Sequence, residues 1–385
     1  MREILLNDKE VLAAVANFRN RFRSLRDDAH ERSGSVAWHD FTLDLFRFQA
    51  AANPVYRRFI ELMELDPASV STIDEIPFLP VELYQTQRVS VFPSSAHDAH
   101  TFASSGTTGS IPSQHHIDDL DWYNEVAASG FERLVCGWSQ RPHFVGLLPG
   151  YLERNNSSLV HMVQYFMQKT GQKNPEDWFF LRDFEALERQ FHTLWQNDEP
   201  SIRPIYIVGV THALLSWVDR LKRQKDSPAW LGLPIHVIET GGMKGQGKER
   251  IRAELHDALS FLTQGRPVGS EYGMTELLSQ AWSDGEGVFQ CPPWMAVKMG
   301  ALNDPKSWAE EGRQGRIHII DLANVSTCAF LATSDIGRRL EDAADPKVAE
   351  FHRPVKRKKD VLRLEVAVDD RMALVDVLQR ERHLE

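Results

Sequence analysis

From about residue 100 the chain repeats one pattern: a short apolar run, a turn, then an amphipathic stretch with helical spacing. The runs are His143-Phe-Val-Gly-Leu-Leu, Ile205-Tyr-Ile-Val-Gly-Val and Ile235-His-Val-Ile. Short, continuously apolar runs suit strands covered on both faces, and their alternation with helices predicts an α/β fold with a largely parallel sheet flanked by helices. Residues 7–65 read as helical, with Val11, Val15, Phe18 and Phe22 at spacings of three and four. The prolines of Ile76-Pro-Phe-Leu-Pro-Val-Glu-Leu mark an extended crossing into the next part. Gly315-Arg-Ile-His-Ile-Ile-Asp and Cys328-Ala-Phe-Leu-Ala-Thr predict strands of a more antiparallel region. This divides the chain into a helical part (1–75), a core (76–340) and a short basic tail (341–385), whose Arg353, Lys356, Arg357, Lys358, Lys359 and Arg363 read most simply as a solvated face.

Composition narrows the partners. With 44 basic against 54 acidic residues the formal net charge is −10, which argues against a nucleic-acid binder. A local anion site is still open, because a few backbone amides suffice to hold a phosphate. No stretch reaches the roughly 18 consecutive apolar residues of a membrane span, and the N-terminus lacks a signal-peptide pattern. Cys136, Cys291 and Cys328 are too few and too scattered for a disulfide framework or a cysteine-rich zinc site, so a cytoplasmic protein is expected.

Four segments can carry chemistry. Ser104-Ser-Gly-Thr-Thr-Gly109 supplies four hydroxyls and two glycines directly after the strand candidate Thr101-Phe-Ala. Glycine lets backbone amides converge, and hydroxyls add donors to phosphate oxygens; a plain Ser/Gly loop is the alternative. Gly242-Met-Lys-Gly-Gln-Gly-Lys248 matches Walker A spacing but places Glu249 where a magnesium-binding hydroxyl belongs, so a P-loop is a rival reading. Gly269-Ser-Glu-Tyr-Gly-Met-Thr-Glu276 gathers an aromatic ring, a hydroxyl and an acid after a glycine turn: Tyr272, Thr275 and Glu276. In Ala332-Thr-Ser-Asp-Ile-Gly337, Asp335 follows a strand and precedes a glycine turn, a place from which a carboxylate can accept from a ribose diol or simply form the turn.

These segments, in this order, resemble the signatures of the adenylate-forming superfamily, which includes acyl-CoA synthetases and firefly luciferase. Ser104, Ser105, Gly106, Thr107, Thr108 and Gly109 look like its phosphate-binding loop. Tyr272-Gly273-Met-Thr-Glu276 looks like its aromatic-Gly-x-Thr-Glu motif, and Thr333-Ser-Asp-Ile-Gly337 like its Thr-Gly-Asp equivalent. Gly241 and Gly242 match the glycine pair beside the adenine pocket. Within the superfamily the chain is most similar to LuxE-type acyl-protein synthetases, through 102–109, Gly146-Leu-Leu-Pro-Gly-Tyr-Leu-Glu-Arg-Asn-Asn-Ser-Ser-Leu-Val160 and Glu239-Thr-Gly-Gly-Met-Lys-Gly245, over roughly residues 70–340.

The resemblance implies a large adenylation-type α/β domain whose mobile C-terminal domain is absent or vestigial. It implies an acid–thiol ligase that uses ATP and Mg2+ to activate a carboxylic acid, a fatty acid in the LuxE pattern. The acyl group would then pass to a thiol, on an acyl-accepting reductase or carrier protein. Thr275 would contact the α-phosphate, Glu276 magnesium, Tyr272 the adenine and Asp335 the ribose. Leu152, Asn155, Asn156 and His161 are candidates for the acyl pocket, or else face the core. The match breaks near the end: no cysteine follows the Thr333–Gly337 motif, and a Gly-Arg-x-Asp stretch is missing. Cys328 reads as a buried thiol, and Cys291, before two prolines, as the more accessible one. Two rivals remain open, a P-loop NTPase and a non-catalytic nucleotide- or acyl-binding remnant.

Overall fold

The computed structural model describes residues 7–28, 34–92, 94–105, 111–149, 156–197, 203–241, 252–285, 287–304, 307–340 and 347–352. In chain order, helices α1 (Asp8–Asp27), α2 (Val36–Ala52) and α3 (Pro54–Leu62) lead into strands β1 (Leu79–Pro80), β2 (His100–Ala103) and β3 (Gln114–Ile117). Then come α4 (Leu120–Leu134), β4 (His143–Leu147), α5 (Ser158–Lys169), α6 (Phe184–Asn197), β5 (Ile205–Gly209), α7 (Thr211–Lys222), β6 (Ile235–Glu239) and α8 (Arg252–Thr263). Strands β7 (Gly269–Tyr272), β8 (Ala281–Ser283), β9 (Val288–Gln290), β10 (Met295–Gly300), β11 (Gln314–Asp321), β12 (Phe330–Arg339) and β13 (Lys347–His352) complete the chain.

The chain divides into two compact units, one of Met1–Tyr123, Met274–Ser279 and Cys291–Glu385, the other of Asn124–Gly273 and Gln280–Gln290. In the first, α1 starts at a capping box: Lys9 and Glu10 donate their N–H groups to the Asn7 side chain, and Asn7 N–H donates to the Glu10 carboxylate. Its buried residues are the predicted stripe Val11, Val15, Phe18 and Phe22, extended by Leu25. Asn53 ends α2 and caps α3, and Pro54 takes the first helical position, where its missing N–H costs nothing. The sheet of this unit runs β10-β11-β12-β13, antiparallel throughout, with β1 parallel to β12. Strands β2 and β3 form a separate antiparallel hairpin.

In the second unit β4, β5, β6 and β7 pair in parallel, followed antiparallel by β8 and β9. Alternate residues face opposite ways. Val145, Ile207 and Val237 join Leu187 and Phe191 of α6, Trp217 and Val218 of α7, and Leu259 and Leu262 of α8 in one core. Their neighbours Phe144 and Tyr206 turn to the other face and pack with Phe131, Trp138 and Phe166. Helices on both faces explain why these strands read as continuous apolar runs. Burying one such side chain is worth roughly 1.5–3 kcal/mol, more than a typical cap, so packing decides these helices.

The structure corrects two local expectations. Gly337 makes no turn: β12 continues through it to Arg339, with Gly337 opposite Gly315. The physical reason lies in the partner strand, since a residue pairing over Gln314–Asp321 outweighs the turn preference of one Asp-x-Gly. Gly269 likewise opens strand β7 rather than a turn; its N-terminal half pairs with β6, at Ile238 and Glu239.

Candidate active site

Beyond β7 the chain enters Met274–Ser279, a segment with neither helix nor strand. Such a segment must find partners for its backbone elsewhere. Leu277 N–H donates to the Met274 carbonyl at 3.1 Å, and side chains supply the rest. His115 Nδ1 lies 2.7 Å from the Thr275 carbonyl oxygen. Asn324 Nδ2 donates to the Glu276 carbonyl at 2.8 Å. Leu278 and Ser279 both donate N–H to Asp321 Oδ2 at 2.9 Å, and Ser279 Oγ donates to Oδ1 at 2.7 Å. Trp294 Nε1 donates to Ser279 Oγ at 3.0 Å. Burial pushes the Asp321 carboxyl above its usual range, while the bonds from Ser279 and Leu278 pull the other way. Thr275 is half-buried and Glu276 is buried.

The hairpin β2–β3 closes the stem of the Ser/Thr/Gly loop. Ser104 N–H donates to the Ser113 carbonyl at 3.0 Å, and Ser113 N–H donates back to Ser104 Oγ at 2.9 Å. Ser105 is exposed; Gly106, Thr107, Thr108 and Gly109 lie outside the described residues. Asp335 sits within β12, buried, its N–H donating to Thr333 Oγ1 at 3.1 Å. Glu82 is close enough that Asp335's charge, after burial, helps hold the Glu82 carboxyl above its usual range.

The remaining candidates belong to the second unit. Gly241 follows β6 at φ +73°, a left-handed conformation that glycine adopts without a Cβ penalty. Its N–H donates to Glu239 Oε2 at 2.8 Å and its carbonyl accepts from Thr211 N–H at 2.9 Å. Glu239 is buried and also accepts from Thr211 Oγ1 at 3.2 Å and Ser270 Oγ at 2.9 Å. Gly242 and the near-Walker stretch through Lys248 lie outside the described residues. Tyr272 is buried at the end of β7, its ring edge-on to Phe289 with centroids 6.2 Å apart; Gly273 follows it. Asn156 is half-buried, and His161 on α5 has Nε2 2.9 Å from Asn124 Oδ1; Leu152 and Asn155 lie outside the described residues.

The structure thus brings Thr275 and Glu276 together with the hairpin that carries Ser104, through His115. It groups Gly241 with Glu239 and Thr211. His115, Asn324, Asp321 and Glu239 escaped the sequence reading. For the first three no local signal exists, since each acts on a segment distant in sequence. Glu239, two residues before a glycine pair, was the findable one.

All three cysteines are buried, which corrects the expectation that Cys291 would be accessible. Two prolines after it did not make a surface loop: Pro292 and the indole of Trp294 belong to a packed turn into β10. Burial pushes the Cys291 and Cys328 thiols up to about 12, and raises that of Cys136. Among the described residues no helix is long and apolar enough to cross a membrane, and no three His, Cys, Asp or Glu side chains group as metal ligands.

A family model described as acyl-protein synthetase, LuxE, matches residues 19–358. The chain belongs to this family. As a LuxE-family protein it is an enzyme of the acid–thiol ligase type, and the resemblance stated from its motifs holds over most of its length. No curated protein matches the sequence. Among solved structures, an open conformation of 2-hydroxyisobutyryl-CoA ligase in complex with 2-HIB-AMP and CoA is similar at TM-score 0.58 and 14% identity, over 83% of this chain and 69% of that one. The postadenylation state of that ligase, in complex with 2-HIB-AMP, gives TM-score 0.59 at 14% identity, over 83% and 67%. At this identity the likeness establishes the fold, the mixed α/β fold of adenylate-forming ligases.

Proposed function

We propose that this LuxE-family enzyme joins a carboxylic acid to ATP, forming an acyl-adenylate and releasing pyrophosphate, with a fatty acid as the substrate class. The observation that supports it is the seating of Thr275 and Glu276, whose successive backbone carbonyls are held by the side chains of His115 and Asn324. In the reaction a carboxylate oxygen of the acid attacks the α-phosphorus of ATP. The new O–P bond forms as the bond to the pyrophosphate oxygen breaks, and pyrophosphate leaves with that electron pair. Such a transfer requires orientation and charge neutralisation rather than covalent help.

In this reading the loop that starts at Ser104 and Ser105 holds the β- and γ-phosphates, and the Thr275 hydroxyl donates to the α-phosphate. Tyr272 and Gly241 border the adenine, Asp335 holds the ribose, and Asn156 and His161 line the acyl pocket. Glu276 is the carboxylate for a divalent cation. A single acid, with no three-ligand group among the described residues, suits Mg2+, which is commonly bound by one or two carboxylates together with substrate phosphates. When bound, the cation would neutralise phosphate charge.

The acceptor is an external thiol, on CoA, a carrier protein or a partner reductase. Acyl transfer needs an exposed thiolate, whereas Cys136, Cys291 and Cys328 are buried with raised pKa values. Three unpaired thiols also suit a reducing, cytoplasmic setting.

Pyrophosphate release, measured across a series of fatty and aryl acids, tests the first step. Release that requires both an acid and magnesium is expected; phosphate release without acid would point to a P-loop NTPase, and no turnover to a binding remnant. Incubation with ATP and a labelled fatty acid, followed by denaturing electrophoresis, tests the second. No stable band is expected, and a hydroxylamine-sensitive band lost in Cys291→Ser or Cys328→Ser would identify an internal carrier instead.

A further inference from the structure

We propose that His115 is a positioning residue of the active site, fixing the Thr275–Glu276 peptide from the same strand that closes the Ser104 loop. The inference rests on the adenylation reading of Thr275 and Glu276.

His115 lies on β3 with no exposed surface. Burial holds its pKa at about 4, so the ring is neutral and has one proton to place. The Thr275 carbonyl can only accept, which assigns that proton to Nδ1. Nε2 is then an acceptor, and it faces Thr327 Oγ1 at 3.0 Å. The Thr327 hydroxyl also lies against Asn324 Oδ1, so one hydroxyl proton serves two acceptors. The amide of Asn324 is oriented by its other end, where Nδ2 donates to the Glu276 carbonyl. A single side-chain chain, His115–Thr327–Asn324, therefore grips two successive carbonyls, those of Thr275 and Glu276.

The chain itself is braced. Gln49 of α2 donates to the carbonyls of Asn324 and Val325 at 2.8 and 2.9 Å, and Asn53 donates to that of Thr327 at 2.9 Å. The Tyr84 ring stands edge-on to the imidazole, with centroids 5.7 Å apart and planes at 90°. A histidine that merely filled the core would need none of this. Two residues before His115, Ser113 closes the loop stem with Ser104. One short strand thus ties the stem of the phosphate loop to the peptide that presents Thr275 and Glu276.

Two substitutions separate the ends of the imidazole. His115→Asn keeps an amide donor on the Nδ1 side, toward Thr275, whereas His115→Gln extends its amide toward Thr327. Four quantities are measured: kcat and the KM for ATP in acid-dependent pyrophosphate release, the melting temperature, and amide hydrogen exchange of Leu278 and Ser279 in the ligand-free protein. For His115→Gln we expect kcat to fall roughly 10²-fold, as for a misplaced catalytic group, with little change in KM and faster exchange. His115→Asn should recover kcat to within about tenfold of wild type and keep exchange slow, because it restores the charge-neutral donor. Equal losses in both variants that track the melting temperature would reduce His115 to a core filler. Unchanged kcat and exchange in His115→Gln would also overturn the proposal. If His115→Gln does not fold, Thr327→Val against Thr327→Ser decides, with equal kcat in the two counting against the chain. If wild type releases no pyrophosphate with any acid, the adenylation reading fails, and the exchange measurement still decides whether His115 holds the segment.

Discussion

Two stretches with candidate site residues follow the C-terminal ends of neighbouring parallel strands, and they are held in opposite ways. The Gly241 turn after β6 is shaped mainly locally: Glu239, two residues back, takes its N–H, and the glycine supplies a φ of +73°, while the Thr211 N–H on its carbonyl comes from elsewhere in the chain. Met274–Ser279 after β7 is held by residues far away in sequence, with separations of 160 to His115, 48 to Asn324 and 43 to Asp321. A turn fixed by backbone conformation can be written into a few letters. A segment fixed by remote side chains exists only once the fold has assembled them. The second arrangement suits groups that must be held to a fraction of an ångström, because His115 and Asp321 rest on strands β3 and β11, and Asn324, just after β11, is braced by Gln49 of α2.

The largest effect is expected at Glu276. Glu276→Gln preserves shape and the Asn324 grip on its carbonyl but removes the charge. Turnover in pyrophosphate release should fall about 10²-fold or more, as when one strong electrostatic stabiliser is removed. A rate close to wild type would make Glu276 another structural part of the segment and erase the contrast with Gly241.

The two buried acids that anchor these stretches give the next largest difference. Asp321 accepts from the N–H groups of Leu278, Ser279 and Ala323 and from the Ser279 hydroxyl. Asp321→Asn turns one oxygen into a donor facing donors, at a cost of roughly 2–3 kcal/mol. Glu239 accepts from one backbone N–H and two hydroxyls, and hydroxyls can rotate to accept from an amide. Glu239→Gln should therefore cost only roughly 1 kcal/mol. Urea unfolding of both variants measures the gap, and equal costs would show that the two anchors work alike.

The sequence reading succeeded where the determinants are local. The strands β4, β5 and β6 were legible because both faces are covered, so period-two alternation gives way to unbroken apolar runs. The α1 stripe was legible from Val11, Val15, Phe18 and Phe22. The loop, the glycine pair and Tyr272–Glu276 were legible as motifs, whose nucleotide-binding roles remain proposals. The Asp335 turn was misread because pairing with β11 lies outside any local window. The accessibility of Cys291 was misread because proline marks a chain reversal without saying whether the reversal is buried. His115 was invisible for the same reason: nothing in Gln114-His-His-Ile announces a carbonyl 160 residues away.

Acid should unsettle both units, most strongly through one histidine in each. His115 and His143 are both held at about 4, first by burial, with His116 and Arg203 respectively adding positive charge nearby. In the unfolded chain each titrates near 6.5. Between those values the unfolded state takes up protons that the native state refuses, so stability is present above about pH 6.5 and is lost as pH falls toward 4. Going from pH 6.5 to 5 should cost about 1.5 kcal/mol for each histidine. Urea midpoints at the two pH values check this, and His143→Gln should shrink the drop by one histidine's share. An undiminished drop in that variant would remove His143 from the account.

The smallest effect is expected at Gly241, and it is the sharpest test of a locally fixed turn. A Cβ there would meet nothing within 4 Å, so Gly241→Ala adds no clash and reports the backbone conformation alone. Holding an alanine at φ +73° should cost about 1 kcal/mol, the penalty of the left-handed region for a residue with a side chain. Asparagine tolerates that region better, so Gly241→Asn should cost less than Gly241→Ala even though its side chain is larger. Urea unfolding orders the three proteins. If alanine and asparagine cost the same, or if neither costs anything, the turn takes its shape from Glu239 and Thr211 rather than from the glycine, and the Gly241 turn would then be held by side chains just as Met274–Ser279 is.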